Sequence, residues 1–445
     1  MENAVCSKQE NMAGVELIMQ EPRLVYVPPV NAATRKWGVY AIPMMWRLPD
    51  QSLVIRFNGE QDMASTADMQ QAENLYFQSE DQGKTWKWVE NGDRKFDISV
   101  LTGIASPYLF CRDGRVMAVR AKMDCAPIQN VPYRKEFVLP NQEAVVHSYR
   151  YGEIPEDSKG IELLEYQGET CQCQEITLDF PEREVLVNCA SLSPGQEGAD
   201  KFLAEEEKLC PFIFKRPYFS SLTELDHGVL AALSCGQHPE VDDHYCGVVY
   251  LVVSEDGGKS WRKRGTVASD PTMKYGYGGD GTEVTLTRAS NGDLLCVMRM
   301  DMSLGYQDGS ITGTMLAVSH DQGYTWETPR LMSDESVTPH VVALKDGLVL
   351  MIYGRPGVHC RYSEDNGKTW SEPHSMIGPT LKQAMAEGRD YLDVKYGNTC
   401  SYSNTYVERI SEDTVLALYN DIQYDPGDGC RHKAAFVREI TLRRM

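Results

Sequence analysis

One eight-residue pattern occurs four times in the chain and constrains the fold more than any other feature. Its copies are "SEDQGKTW" from Ser79, "SEDGGKSW" from Ser254, "SHDQGYTW" from Ser319 and "SEDNGKTW" from Ser363. In the shared pattern S-x-D-x-G-x-[T/S]-W, the Asp carboxylate can accept backbone N–H groups of a turn, the Gly permits a positive φ angle, and the Trp anchors the turn in a core. The pattern therefore predicts a repeated structural turn, not a catalytic motif.

A strand-like run precedes each copy, and one of these runs has a second possible origin. The letters "ENLYFQS" at 73–79 match the recognition sequence of a plant-virus cysteine protease used to remove purification tags. They fill the place that "GVVYLVV", "TMLAV" and "GVHCRY" fill before the other three copies. We therefore interpret "ENLYFQS" as a native strand. We predict that the protease does not cut it in the folded chain, because a paired strand cannot enter a protease cleft.

A second pattern, two apolar strands joined by a polar turn, occurs six times. Its copies are residues 41–57, 106–123, 217–234, 282–300, 339–355 and 401–421. Most copies start about 55 to 65 residues apart, which is typical of a radial array of four-stranded blades. We predict an all-β fold, a six-bladed β-propeller with four Asp-box turns, in which residues 1–445 form a single domain. Residues 432–442 are predicted to be the last outer strand, and residues 23–27 to help close the ring.

Two segments interrupt this regular array. Residues 124–200 lack the eight-residue pattern and are rich in Pro, Glu and Gln, so we predict an insertion that elaborates a blade. Residues 371–399 are predicted to be a long loop that includes a short helix in "TLKQAMAEGRDYL". Loops of this length in a compact fold are often functional.

Composition limits the partners and the compartment. The formal net charge of −20 disfavours nucleic acid and anionic membrane surfaces as partners. No apolar run approaches the ~20 residues needed to span a bilayer, and the first twenty residues lack the pattern of a secretory signal. The 13 cysteines include no CxxC pair, so we expect reduced, structural thiols and a cytoplasmic location.

The six hairpins with their Asp boxes resemble the sialidase (neuraminidase) superfamily over nearly the whole chain. In that family a base-like glutamate opens a hairpin that ends in an arginine, and "EVTLTRASNGDLLCVMR" places Glu283 and Arg299 at this separation. The family's nucleophile lies in a Tyr-Ser pair that opens the last hairpin, which corresponds to Tyr402 in "CSYSNTYVERI". A further family arginine precedes the box of the fifth blade by eight residues and corresponds to Arg355.

The chain departs from the family pattern in its first hairpin. The family reads Tyr-Arg-Ile-Pro there, and its arginine completes a three-arginine clamp on the substrate carboxylate. This chain reads "YAIP", so Ala41 replaces the arginine. Arg47 and Arg56 lie in the same hairpin as possible substitutes, and Arg56 is our candidate. The acid/base aspartate of the family falls on "NGEQDMASTAD", which offers Asp62 and Asp68.

The resemblance implies a chemistry that suits these residue types. A sugar with a carboxylate on its anomeric carbon repels a carboxylate nucleophile, whereas a neutral phenol is tolerated, as in the tyrosine-nucleophile sialidases. A free Tyr has a pKa near ~10, so Tyr402 needs an adjacent base, the role expected of Glu283. Arginines would bind the substrate carboxylate through paired hydrogen bonds. Asp62 or Asp68 would protonate the leaving oxygen.

Three hypotheses follow. The first is a retaining exo-glycosidase that releases a terminal sialic acid or related 2-keto acid sugar, with no cofactor and with a carbohydrate as its partner. The second is an enzyme of the same scaffold acting on another acidic or neutral glycan. The third is a non-catalytic propeller that binds glycans or proteins, in which Glu283 and Arg299 are an ordinary strand pair and Tyr402 is a core aromatic. No metal is expected, because "HPEVDDH" at 238–244 has no zinc-site spacing.

Overall fold

A computed structural model gives the structure of the chain. It describes residues 14–28, 43–57, 75–90, 108–121, 135–138, 145–150, 161–178, 184–188, 213–215, 218–237, 247–269, 276–277, 283–301, 313–335, 338–354, 357–388, 405–429 and 432–445.

Thirty strands account for most of the described residues. The first ten are β1 (Val15–Met19), β2 (Arg23–Tyr26), β3 (Pro43–Arg47), β4 (Leu53–Phe57), β5 (Leu75–Ser79), β6 (Lys87–Trp88), β7 (Tyr108–Phe110), β8 (Val116–Ala121), β9 (Lys135–Val138) and β10 (Val145–Arg150). The next ten are β11 (Ile161–Gln167), β12 (Thr170–Leu178), β13 (Glu184–Asn188), β14 (Ile213–Lys215), β15 (Tyr218–Glu224), β16 (Leu230–Gln237), β17 (Gly247–Ser254), β18 (Ser260–Ser269), β19 (Gly276–Tyr277) and β20 (Val284–Arg288). The last ten are β21 (Leu294–Asp301), β22 (Gly313–Ser319), β23 (Arg330–Ser333), β24 (His340–Ala343), β25 (Val349–Gly354), β26 (Val358–Ser363), β27 (His374–Ile377), β28 (Tyr406–Arg409), β29 (Thr414–Tyr424) and β30 (His432–Arg444).

Helical structure is short in the described residues. It consists of the helix α1 (Leu381–Ala386) and the 3₁₀ turns Asp226–Gly228 and Lys345–Gly347. The helix lies within the segment predicted to contain one, and a capping box between Thr380 and Gln383 starts it. No helix in the described part of the chain is long and apolar enough to cross a membrane.

The strands form the six blades of a β-propeller, as predicted. Blade 1 is β3 to β6, blade 2 is β7, β8, β11 and β12, blade 3 is β15 to β18, blade 4 is β20 to β23, blade 5 is β24 to β27, and blade 6 is β28, β29, β30 and β1. Each of the six predicted hairpins supplies the first two strands of a blade. The first strands of adjacent blades meet around the axis through hydroxyl groups. Ser221 Oγ accepts from Leu286 N at 2.9 Å, and Thr285 Oγ1 accepts from Val341 N at 3.0 Å.

The two ends of the chain close the ring in blade 6. Strand β1 pairs antiparallel with the C-terminal half of β30, and β2 pairs with its N-terminal half. The prediction that residues 23–27 help to close the ring is thus confirmed for β2. The prediction that residues 432–442 form the last outer strand is wrong, because β1 covers the outer edge of β30 and makes it the third strand of its blade.

The predicted insertion at 124–200 divides between two sheets. Strands β11 and β12 complete blade 2, and β12 also pairs in parallel with β18 of blade 3. Strands β9, β10, β13 and β14 form a separate four-stranded sheet.

Six apolar clusters form the core of the described structure, one in each gap between neighbouring blades. Side chains alternate between the two faces of a strand. In blade 1, Leu53, Ile55 and Phe57 pack toward blade 6, whereas Val54 packs toward blade 2. Both faces of the sheet are therefore buried, which explains why the second strand of each hairpin is almost continuously apolar.

The four Asp boxes are turns of one geometry. In the first box, Ser79 Oγ donates to Asp81 Oδ1 at 2.8 Å and accepts from Gly83 N at 2.7 Å, and Thr85 N donates to Asp81 Oδ1 at 2.8 Å. Gly83 has a φ of +85°, and a Cβ there would lie 2.2 Å from Leu416 Cδ2 of blade 6. The glycine is therefore required both for the turn and for close packing against the neighbouring blade.

Candidate active site

Three residues mark the start of the first strands of blades 4, 5 and 6 at one end of the propeller. Glu283 directly precedes β20, Thr338 lies two residues before β24, and Thr405 directly precedes β28. First strands of neighbouring propeller blades run in the same direction, so these residues meet at one end of the axis. This is the end at which the sequence resemblance places a site.

Glu283 and Arg299 form an ion pair at this end. Arg299 N donates to Glu283 O at 3.0 Å, which extends the ladder between β20 and β21 and puts both side chains on the face toward blade 5. Arg299 Nη1 donates to Glu283 Oε1 at 2.5 Å. The two side chains keep 16% and 17% of their surface exposed, so the pair is largely shielded but still reaches solvent.

The second oxygen of the Glu283 carboxylate is bound by the next blade. Thr338 N donates to Glu283 Oε2 at 2.6 Å. Thr338 Oγ1 in turn accepts from Thr405 N at 2.6 Å, and Thr405 Oγ1 donates to the carbonyl of Thr338. Glu283 therefore has both carboxylate oxygens fixed, one by its own blade and one through a connection that continues to blade 6.

A neutral aromatic layer lies directly below. The ring of His340 packs against that of Tyr406, with centroids 4.9 Å apart. Burial lowers the pKa of His340 to about 4, and burial, reinforced by the Glu408 charge, raises the pKa of Tyr406 well above its usual range. Both rings are uncharged at neutral pH, so this layer adds no charge beneath the Glu283–Arg299 pair.

A second ion pair closes the axis farther down. Arg47 Nε donates to Glu408 Oε1 at 2.9 Å, and Tyr108 OH donates to Glu408 Oε2. Burial, together with the nearby Glu408 carboxylate, raises the pKa of Tyr108 well above its usual value. Arg47 ends the first strand of its blade, about 16 Å along the strand from the level of Glu283 at ~3.3 Å per residue. It is therefore committed to this lower cluster and does not take the place of the arginine missing at position 41.

Arg56, the candidate substitute for that arginine, lies between blades 1 and 2. Its side chain is buried, with 1% exposed, and its guanidinium lies 5.5 Å from the centre of the Trp46 ring. Its Nη2 approaches Met44 Sδ at 3.7 Å. These contacts are those of a packed residue and lend no support to a role for Arg56 in carboxylate binding, which stays a prediction.

Five other residues named from the sequence lie outside the described residues. They are Ala41, Asp62, Asp68, Arg355 and Tyr402. In the chain, Arg355 directly follows β25 and Tyr402 precedes Thr405 by three residues. The described part of the chain contains no group of three or more side chains suited to a metal ion, and residues 238–244 also lie outside it.

A buried pair between blades 4 and 5 lies behind Arg299. Thr314, which pairs with Arg299 across the sheet, donates from Oγ1 to the carbonyl of Glu335 at 2.8 Å. Glu335 Oε2 lies 2.8 Å from His359 Nδ1, and both side chains are almost fully buried. The sequence does not reveal this pair, because Glu335 lies after β23 and His359 lies in β26, and no motif connects them.

The comparisons with known proteins agree with this architecture. A family model described as "BNR repeat-like domain" matches residues 221–419. The matched residues cover less than half of the chain, and the six blades to which they belong have the fold of a β-propeller. A protein of unknown function from Dyadobacter fermentans is similar in structure to this propeller, with a TM-score of 0.55 at 16% identity over 96% of this chain and 100% of the other.

Two further solved structures are similar to the propeller at lower scores. The Hadza microbial sialidase Hz136 gives a TM-score of 0.48 at 12% identity, over 92% of this chain and 66% of its own. An α-L-arabinofuranosidase from Fusarium graminearum gives 0.47 at 14% identity, over 94% and 97%. None of the curated proteins matches the sequence of the propeller.

Sequence reasoning also missed Thr338, although a signal for it exists. The hairpins of blades 4 and 5 have turns of equal length, so Thr338 occupies the position in its hairpin that Glu283 occupies in the preceding one. Superposing the two hairpins by their strand register would have placed Thr338 beside Glu283 in the propeller.

Proposed function

We propose that the chain is a retaining exo-glycosidase that releases a terminal sialic acid or a related 2-keto acid sugar. In this proposal Tyr402 is the nucleophile and Glu283 accepts its proton. Arg299 and Arg355 bind the substrate carboxylate, and Asp62 or Asp68 protonates the leaving oxygen. The sequence resemblance supplies these roles.

The Glu283–Arg299 pair is the observation that carries the proposal. A general base must be held within hydrogen-bond reach of the proton that it takes, and Glu283 is held by two donors from two blades at the entrance of the axis. Each carboxylate oxygen has two lone pairs, so these two bonds leave capacity to accept the proton of a tyrosine. An ordinary surface strand pair would not need a third contact from the neighbouring blade.

A second candidate function is the hydrolysis of a different acidic or neutral glycan. The contacts of the first hairpin favour it, because Arg47 is bound to Glu408 and Arg56 packs on Trp46. If Arg56 does not reach the substrate carboxylate, Ala41 leaves the clamp without its third member. A hydrogen bond to a charged group contributes about 1.5–3 kcal/mol, so a substrate carboxylate would be bound about ten- to a hundredfold more weakly.

The release of a fluorescent phenol from its α-sialoside tests the proposal. The purified chain is compared with Tyr402→Phe and with Tyr324→Phe, a matched control on an exposed Asp-box turn. We expect turnover that Tyr402→Phe abolishes and that Tyr324→Phe leaves intact. Equal turnover in all three proteins would refute the role of Tyr402. A folded chain without turnover would refute the sialidase proposal, and a panel of aryl glycosides of other sugars would then test the second candidate.

A further inference from the structure

Thr338 has an unusual backbone conformation. Its φ is +40°, in the left-handed region that side chains disfavour. Among the eight described non-glycine residues with a positive φ, it is the one with a β-branched side chain. For a β-branched residue such a conformation is a clear outlier, and strain of this kind persists only where the surroundings impose it.

Three hydrogen bonds impose this conformation, and all of them run between blades. The N–H of Thr338 points to Glu283 Oε2 of blade 4, while its Oγ1 and its carbonyl are both used by Thr405 of blade 6. Thr405 is almost fully buried, so its backbone N–H needs an acceptor that water does not supply. The bonds to Thr405 therefore hold Thr338 in the conformation that directs its N–H at Glu283.

The geometry points to Thr338 as a positioning residue of the proposed active site. It orients the carboxylate of Glu283, and it ties that carboxylate to the start of β28, three residues after Tyr402. This inference rests on the proposed function, in which Glu283 takes the proton of Tyr402. A base and a nucleophile from different blades need a fixed separation, and displacements of about 1 Å reduce rates by about 10²-fold.

The decisive variant is Thr338→Val. Valine keeps the shape and the N–H but removes Oγ1, so Thr405 N loses its acceptor and the strained backbone is free to turn its N–H away from Glu283. We expect kcat to fall by about 10²-fold with KM within about threefold. The acidic limb of the pH profile of kcat should move to higher pH, because a carboxylate that loses a hydrogen-bond donor is protonated more easily. Thr338→Ser keeps Oγ and should restore kcat to within about threefold of the original chain.

Thr287→Val is the matched control. Thr287 Oγ1 accepts from Ala343 N at 3.0 Å, so this variant removes the same type of bond between blades, but four residues below Glu283. It should leave kcat and its pH profile unchanged. A loss of kcat in Thr338→Val no greater than in Thr287→Val, or no recovery in Thr338→Ser, would overturn the inference.

A measurement without substrate separates this inference from the proposed function. Urea unfolding of T338V, E283Q and the double variant forms a double-mutant cycle. If Thr338 holds Glu283, the effects on the unfolding equilibrium constant should deviate from additivity by about twofold to a hundredfold. Additive effects would overturn the inference even in an active enzyme. An inactive original chain with a coupled cycle would overturn the proposed function and leave the contact between Thr338 and Glu283 established.

Discussion

Replacement of Glu408 by Ala should destabilise the propeller strongly, because three blades depend on this carboxylate. Glu408 of blade 6 accepts from Arg47 of blade 1 and from Tyr108 of blade 2. The side chains of Arg47 and Glu408 are only 10% and 13% exposed. Removal of one partner from a pair this buried costs about 3–5 kcal/mol, since the remaining charge stays in a place with little water. At about 2.1 cal/mol/K per residue, a chain of this length loses about 3–5 °C in Tm if it unfolds as one unit.

Thermal and urea unfolding of Glu408→Ala, Glu408→Gln and Glu255→Ala test this magnitude. Glu255 forms ion pairs with Arg262 at 2.7 Å and with the buried Arg264 at 3.4 Å. Its own side chain is 53% exposed, and Arg264 keeps its contact with the Tyr324 ring, so the loss of Glu255 should cost about 1 kcal/mol. Glu408→Gln keeps an acceptor oxygen and should fall between the other two variants. A Tm for Glu408→Ala as high as that for Glu255→Ala would refute the argument that the cluster on the axis is effectively buried.

Three further outcomes are expected. Burial acts to raise the pKa of Asp81 and Asp321, but hydrogen bonds from the box outweigh it and hold each pKa at about 2. Because this lies below the unfolded value of about 3.9, the contribution is present above about pH 4 and is lost as the pH falls toward 2. The urea midpoint of unfolding should therefore decline as the pH falls from about 4 to about 2, and it should decline less in D81N and D321N. Gly323→Ala places a Cβ 2.0 Å from Leu251 Cδ2, whereas a Cβ at Gly257, which also has a positive φ, would enter open space. Urea unfolding should therefore show an extra loss of about 1–3 kcal/mol for Gly323→Ala alone. Electrophoresis after incubation with the plant-virus protease should show an intact native chain and, after urea unfolding, a cut at residues 73–79; rapid native cleavage would contradict the pairing of β5 on both edges.

The predictable part of the fold is the part that local chemistry determines. In the first Asp box, the hydrogen bonds of Asp81 and Gly83 all go to residues within four positions in the chain, so the sequence pattern alone predicts the turn. The hairpins follow from apolar runs and their turns. Glu283 and Arg299 are 16 residues apart and face each other because the register of the hairpin pairs them across neighbouring strands. The outer strand of blade 6 was not predictable in this way, because β1 and β30 meet only when the ring closes.

The contacts of the candidate site and of the ion pair below it join residues that are distant in the chain. Thr338 binds a carboxylate 55 residues earlier in the chain, and Arg47 binds one 361 residues later, so no local pattern encodes either contact. In a propeller these distant pairs come together because each blade adds one first strand to the same ring. The hydrogen bonds from Leu286 N to the Ser221 hydroxyl and from Val341 N to the Thr285 hydroxyl fix how far each first strand lies along the axis relative to its neighbour. The stacking of whole blades therefore positions the Glu283 carboxylate. The contact that connects the two is the hydrogen bond from the N–H of the strained residue Thr338 to Glu283.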